Sequence, residues 1–350
     1  MAFLDIKNVR IAGISAGVPK NIIKNEGDVV KSKDYDASSF VKTTGVVERR
    51  VSMTLTTSDL GLCAAEHLIS ELNWNKSEID ALIFLSQTPD YILPATACVL
   101  QDKLGLSKDC YAMDISLGCS GWVYGLSNIS SLISAANGEI RKALLIVGDA
   151  KGRAIVPLDP LFGHAATVTA LEFNLNSKGL KFNFGTDGSG YDAIIIPDGG
   201  SRNPVTEESF KYEDFEGKQL NRLMDYMKGM DVFSFGITVP PKSIKKLAVR
   251  YDFDLLDCDY YVFHQANMKM IDMIIKKLKL TSDKVPSCMA HFGNTSSASI
   301  PLTIVTQLKE KTNRKTTKFL CCGFGVGLSW GTVAFESDND MIISELVEVE

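Results

Sequence analysis

Three residues stand where chemistry could be done. Cys119 lies in DISLGCSGWVYGL, where an apolar run ends at Leu117 and Gly118 and a helical stretch begins immediately after the cysteine. Backbone N–H groups at a helix start carry partial positive charge and favour a thiolate, the nucleophilic form of cysteine. Gly118 and Gly121 let backbone and substrate approach closely. His264 ends the apolar run YYVFHQAN, and Asn294 stands in HFGNTSSASIP. A histidine and an amide offer hydrogen-bond donors to a developing oxyanion, and a cysteine offers the attack. A lone histidine after apolar residues is more often a core residue, so its value depends on what positions it.

An internal repeat supplies that position. The run from Ala81 to Thr88 (ALIFLSQT) has the texture of Tyr260 to Ala266, roughly 180 residues later. The strand-like segment CYAMDIS followed by the Cys119 loop and an apolar helix from Gly121 to Ala136 is matched by PSCMAHFG, Asn294 and a helix through Thr303 to Lys309. KALLIVGDAKG from Lys142 likewise matches KFLCCGFGVG from Lys318. Apolar strands alternating with helices imply parallel sheets covered on both faces. Two such units about a pseudo-dyad predict an α/β fold of five layers, α/β/α/β/α, built from two pseudo-duplicated halves. The halves are 1–176, carrying the cysteine, and 177–350, carrying the histidine and asparagine. Strand-end loops are where ligands gather in α/β sheets, and the repeat puts Cys119, His264 and Asn294 on one rim. Residues from Ser177 to about Val239 break the pattern and read as an insertion capping the second half.

Bulk properties narrow the function. With 350 residues, 45% hydrophobic and 23% charged, the chain is of ordinary globular composition and long enough for two core-bearing halves. A net charge of -5 argues against nucleic-acid binding. No apolar stretch reaches the length of a membrane span and the N-terminus lacks a secretory pattern, so a cytoplasmic protein with no membrane partner is expected. Eight cysteines form no C-x-x-C pair and four histidines no H-E-x-x-H, so neither disulfides nor a metal are expected. GFGVGLSWG fails the G-x-G-x-x-G spacing, which makes a dinucleotide improbable.

GCSG with Cys119, HQAN with His264, GNTSSASIP with Asn294 and the C-terminal GFGVGLSWG resemble the signature segments of the β-ketoacyl-acyl-carrier-protein synthase III family. The likeness extends to TTGVVERR, LPATAC, DGSGYDAIIIPDGGSRNP and MKGMDVFSFG, and so spans nearly the whole chain. The resemblance implies a thiolase-like fold and an acyltransferase that needs no cofactor. An acyl group from acyl-CoA or an acyl-carrier protein would pass to Cys119 and then condense with malonyl-carrier protein by decarboxylative Claisen chemistry. It further implies an oxyanion hole from the backbone N–H groups of Cys119 and Gly327, enolate donors at His264 and Asn294, carrier-protein binding at Lys269, and a homodimer whose interface includes the segment from Leu93.

The chain departs from the family's pattern in places. Phe162-Gly163-His164-Ala165-Ala166-Thr167 replaces a family turn containing an acid, with His164 read chiefly as a structural replacement. Aligned on Gly45, the family's CoA-gripping tryptophan and arginine become Ser39 and Thr43. A hydroxymethylglutaryl-CoA synthase-like reading needs a glutamate acid where this chain has Gln87. The main alternative is an acyltransferase of the same fold that passes the Cys119-bound group to a hydroxyl or amine. A catalytically silent subunit would be expected to have lost part of the set.

Overall fold

Ala81–Leu85 is apolar and buried at every position, as a strand covered on both faces must be. In the computed structural model, which describes residues 2–25, 36–150 and 159–350, it pairs in parallel with Tyr111–Ile115 on one side and Lys142–Asp149 on the other. Residues 151 and 152, the tail of the run from Lys142, lie outside the described residues. The complete sheet has six strands in the order Ile342–Val349, Val9–Pro19, Ala165–Phe173, Lys142–Asp149, Ala81–Leu85 and Tyr111–Ile115. A second, five-stranded sheet runs Ala2–Ile6, Leu180–Thr186, Ser329–Glu336, Lys318–Gly325 and Tyr260–Phe263. The strands nearest the two chain termini thus lie at sheet edges, each in the sheet built mainly from the other end of the sequence.

The layers are set by which faces are apolar. Helix Gly121–Ala135 and the stretch Ser299–Thr303, continued by a π-wound Ile304–Leu308, pack between the sheets. Trp122, Leu126, Ile129, Ile300 and Leu302 are fully buried there against Leu145 and Val147 of one sheet and Phe182 and Val333 of the other. Each such side chain contributes about 1.5–3 kcal/mol by leaving water. Trp122 also has a polar atom, and its indole N–H donates to Thr169 Oγ1 at 3.0 Å. Helices Thr57–Glu71 and Thr96–Lys103 cover the outer face of the six-stranded sheet, and Gly229–Tyr251 and Met268–Leu278 that of the five-stranded one. Five α/β/α/β/α layers result.

Three expectations change in detail. The sheets are mixed: Ala165–Phe173 is antiparallel to both neighbours, and Ser329–Glu336 to both of its own. Burial on both faces removes the polar alternation whatever the strand direction, so an apolar run carries no orientation. PSCMAHFG is no strand; Ser287 Oγ accepts the Met289 N–H at 3.2 Å, and a short helix Met289–Phe292 follows. The stretch read as an insertion contributes a sheet strand, Leu180–Thr186, and the start of a long helix. Only its middle, with the hairpin Glu213–Phe215 and Lys218–Leu220, is separate from the two sheets.

Candidate active site

Four loops at the strand ends meet around one cavity of about 1360 Å³, measured with its open mouth, and Cys119, His264 and Asn294 all line it. Each is held by its own local device. The cysteine stands two residues before helix Gly121–Ala135, and the strand Lys318–Gly325 presses on its loop. A β-carbon on Gly323 would come within 3.0 Å of Ser120 Cα. His264 follows the buried strand Tyr260–Phe263, its N–H donating to the Cys322 carbonyl at 2.9 Å. Gln265, wholly buried, clamps that turn by donating to the Phe263 carbonyl at 2.8 Å and accepting from Ser287 Oγ at 2.7 Å. Asn267 then caps helix Met268–Leu278 by accepting the Met270 N–H at 2.9 Å.

Asn294 is tied to the first half of the chain. Its N–H donates to the Leu161 carbonyl at 2.9 Å, and its carbonyl accepts from Gly163 N–H at 3.1 Å. Gly163 tolerates nothing larger, since a β-carbon there would sit 2.0 Å from the Phe292 carbonyl oxygen. The Asn294 Oδ1 accepts the Ser296 N–H at 2.9 Å, which leaves the Nδ2 hydrogens as its donors toward the cavity. Ser296 adopts a positive φ of 52°, unusual for a non-glycine residue, and places its hydroxyl 4.0 Å from Cys119 Sγ.

The imidazole is buried, with Nδ1 2.8 Å from Ser299 Oγ and its ring edge-on to Phe324 at 5.5 Å between centroids. The Gln265 N–H also points at Ser299 Oγ, at 3.4 Å, so the serine hydrogen is free to go to Nδ1. That arrangement leaves Nε2 protonated, as a donor. Burial pushes the His264 pKa down to about 3, against a backbone hydrogen bond at Ser296, so the ring is neutral at physiological pH.

The thiol behaves differently from the sequence expectation. Burial first, and the Asp149 carboxylate second, push Cys119 up to about 11, while hydrogen bonds from the Val326 backbone and the Ser296 side chain oppose them. The resting residue is a neutral thiol, because desolvation of a charge outweighs the helix start. The backbone of Cys119 itself opposes that rise too, and Val326 stands one residue before Gly327, the expected oxyanion donor. Gly327 has φ 124°, a turn conformation that favours glycine, with Ser329 as its nearest neighbour.

The remaining candidates are placed as follows. Gln87 lines the cavity beside Gly118. His164 lines it too and accepts the Ser52 N–H on Nδ1 at 3.2 Å, a tie that organises the neighbouring segment. Lys269 is exposed, in a segment whose Ala266, Asn267 and Met270 line the cavity, and its Nζ lies 5.8 Å from the Phe233 ring centre. Ser296, Ser299, Gln265 and Val326 were missed by sequence reasoning. SSAS after Asn294 was the available signal for the two serines.

Comparison with known proteins adds to this geometry. Residues 113–188 match the family model 3-oxoacyl-[acyl-carrier-protein] synthase III, and residues 250–337 match its C-terminal model. A β-ketoacyl-[acyl-carrier-protein] synthase III of Clostridium acetobutylicum is 32% identical over 335 residues, covering 95% of this chain and 99% of the relative. One from Rhodopirellula baltica is 33% identical, covering 95% and 99%. The crystal structure of a 3-oxoacyl-(acyl-carrier protein) synthase from Burkholderia xenovorans superposes with a TM-score of 0.91 at 37% identity, covering 99% of both chains.

Proposed function

Because the chain belongs to the 3-oxoacyl-[acyl-carrier-protein] synthase III family, with a thiolase-like fold, we propose that it is a condensing acyltransferase of fatty acid biosynthesis working through Cys119. The observation that carries this reading is the single cavity holding a thiol, a neutral imidazole and an amide whose Oδ1 is already used.

In the first half-reaction Cys119 sulfur bonds to the acyl carbon of a thioester, the donor's C–S bond breaks, and the cysteine proton ends on the departing thiol. The tetrahedral oxyanion is held by backbone N–H groups of Cys119 and Gly327. In the second, malonyl-carrier protein loses carbon dioxide, and its thioester oxygen becomes an enolate held by His264 Nε2–H and Asn294 Nδ2–H. The enolate carbon attacks the acyl carbon, and the Cys119 thiolate leaves and takes up a proton. Loss of one such donor typically costs about a hundred- to a thousand-fold in rate.

Residues 1–176 are the half that supplies the nucleophile, and 177–350 the half that supplies the donors. Two features support a homodimer. Tyr91, Ile92 and Leu93 are exposed together, and strand Tyr111–Ile115 leaves a sheet edge open beside them. Ile92→Asp is expected to yield a monomer in analytical ultracentrifugation. Acyl-CoA or acyl-carrier protein and malonyl-carrier protein are the proposed substrates, with a cytoplasmic site of action. Among the described residues no helix is long and apolar enough to cross a membrane. Lys269, with exposed Lys242, Lys245 and Lys246 on the neighbouring helix, is the proposed docking face for the acidic carrier. Charge reversal at Lys269 should raise KM for the carrier and weaken its salt dependence.

The deciding experiment is intact-protein mass spectrometry after incubation with acyl thioesters, with carbon dioxide release followed on adding malonyl-carrier protein. Cys119→Ser should give no acyl adduct. Discharge of the adduct to a hydroxyl or amine with no carbon dioxide would instead identify the acyltransferase that does not use malonyl chemistry.

A further inference from the structure

Ser120 is the N-cap residue of helix Gly121–Ala135, where a serine hydroxyl ordinarily accepts a first-turn N–H. Here it makes no such cap. Its Oγ lies 2.7 Å from Ser329 Oγ, and both residues are buried, at 1% and 4% exposure. Ser329 Oγ in turn donates to the Val326 carbonyl at 2.8 Å. A hydroxyl has one hydrogen, so the proton between the two serines is Ser120's. The chain is therefore directed: Ser120 donates to Ser329, and Ser329 donates to Val326.

This chain joins the loop of the nucleophile to the turn that faces it. Val326 stands between Gly325 and Gly327, and Gly327 has φ 124°. The Val326 carbonyl shares one planar peptide unit with the Gly327 N–H, so the hydroxyl that holds the carbonyl also fixes the direction of that N–H. The hydroxyl hydrogen of Ser120 serves the turn.

We propose, resting on the condensing reading above, that Ser120 and Ser329 are positioning residues which tie the Val326–Gly327 peptide to the Cys119 loop and thereby aim the Gly327 N–H into the oxyanion hole. Neither touches the reacting atoms. The acylation step, whose oxyanion sits in that hole, depends on the pair. Malonyl decarboxylation, whose enolate sits at His264 and Asn294, does not.

The test is the single-turnover rate of Cys119 acylation by an acyl thioester, read by intact mass, in Ser120→Ala, Ser329→Val, Ser329→Thr and the double variant Ser120→Ala with Ser329→Val. Val and Thr share a shape, so packing damage is common to both and only the hydroxyl differs. Ser329→Val should acylate about 10- to 100-fold more slowly than Ser329→Thr, short of loss of the whole donor. Ser120→Ala, which removes one oxygen, should be slowed in the same sense. KM should be unchanged, and the double variant should be no slower than Ser329→Val, because the hydroxyls act in series. Primer-free malonyl decarboxylation should keep its wild-type rate. Equal acylation by Ser329→Val and Ser329→Thr together with a wild-type rate in Ser120→Ala would overturn the proposal. So would an equal loss of acylation and decarboxylation, or a fall in Tm with the rate per folded molecule unchanged. If the unaltered protein forms no acyl-Cys119, it is the condensing reading that fails, and the two failures are thus distinguished.

Discussion

Gly325 and Cys119 stand so close that a β-carbon on the glycine would lie 2.6 Å from Cys119 Cβ and 2.8 Å from its Sγ. Gly325 ends the strand Lys318–Gly325 and is held there by pairing with Ser329 of the antiparallel strand Ser329–Glu336. Gly325→Ala must therefore move the cysteine. Overpacking of this kind costs about 1–3 kcal/mol of stability. Displacing a nucleophile by about 1 Å costs about a hundred-fold in rate. The expected outcome is a folded protein with a lowered Tm and acylation slowed about a hundred-fold or more. Wild-type acylation by Gly325→Ala would show that the loop yields freely.

The titration of Cys119 is predicted from its burial. A group pushed up to about 11 is almost wholly thiol at pH 7, and its thiolate fraction grows about tenfold per pH unit until that value is approached. Alkylation by iodoacetamide, read at the Cys119 peptide so that exposed Cys98 does not interfere, should still be rising at pH 9. An inflection below pH 8 would mean that the helix start and the Val326 N–H prevail over desolvation. His264 contributes no limb to any profile between pH 5 and 9. Its pKa is lowered to about 3, so it is neutral throughout that window.

His264 and Asn294 should divide the reaction. Both residues line the cavity, and the donors assigned to the enolate are Nε2–H and Nδ2–H, since Nδ1 and Oδ1 are bound to Ser299 and Ser296. His264→Ala and Asn294→Ala are expected to slow malonyl decarboxylation by about a hundred- to a thousand-fold and to spare acylation of Cys119 by comparison. An equal fall in both steps would place the two residues in the first oxyanion hole instead.

Much of this was readable in the chain because it rests on side-chain type and period. The buried runs at Ala81 and Tyr260 and the interlayer helix from Gly121 are patterns of hydrophobicity, and Cys119, His264 and Asn294 are identities. Strand direction was not readable, because Ala165–Phe173 is buried on both faces and looks the same either way round. The hydroxyl chain from Ser120 through Ser329 to the Val326 carbonyl was not readable because every residue carries a C=O, and only the folded turn brings one to a hydroxyl. The thiol's protonation was misjudged from the helix start alone, since burial by elements distant in sequence is the larger effect.

The last prediction concerns the acyl donor. Helix Ala37–Thr44 begins at Asp36, which caps it by accepting the Ser38 and Ser39 N–H groups, and ends at Gly45 with φ 83°. A β-carbon on Gly45 would meet Met268 Cγ at 2.2 Å, so this helix abuts the residue next to Asn267, which lines the cavity. It is well placed to meet whatever carries the acyl group in. The positions where the family resemblance expects a tryptophan and an arginine hold Ser39 and Thr43, and both are exposed. A hydroxyl can neither stack on an adenine nor pair with a phosphate as a cation, and each lost contact is worth on the order of 1–2 kcal/mol. Two such losses weaken a nucleotide-bearing donor by roughly 30- to 1000-fold at that end, while leaving a carrier-protein donor, recognised through its acidic surface, untouched. Acyl-carrier protein should therefore acylate Cys119 faster than acetyl-CoA at matched concentration. Ser39→Trp with Thr43→Arg should raise the acetyl-CoA rate selectively, through KM. Faster acylation by acetyl-CoA in the unaltered protein, saturating in the micromolar range, would mean that the nucleotide is gripped by other residues and would defeat the prediction.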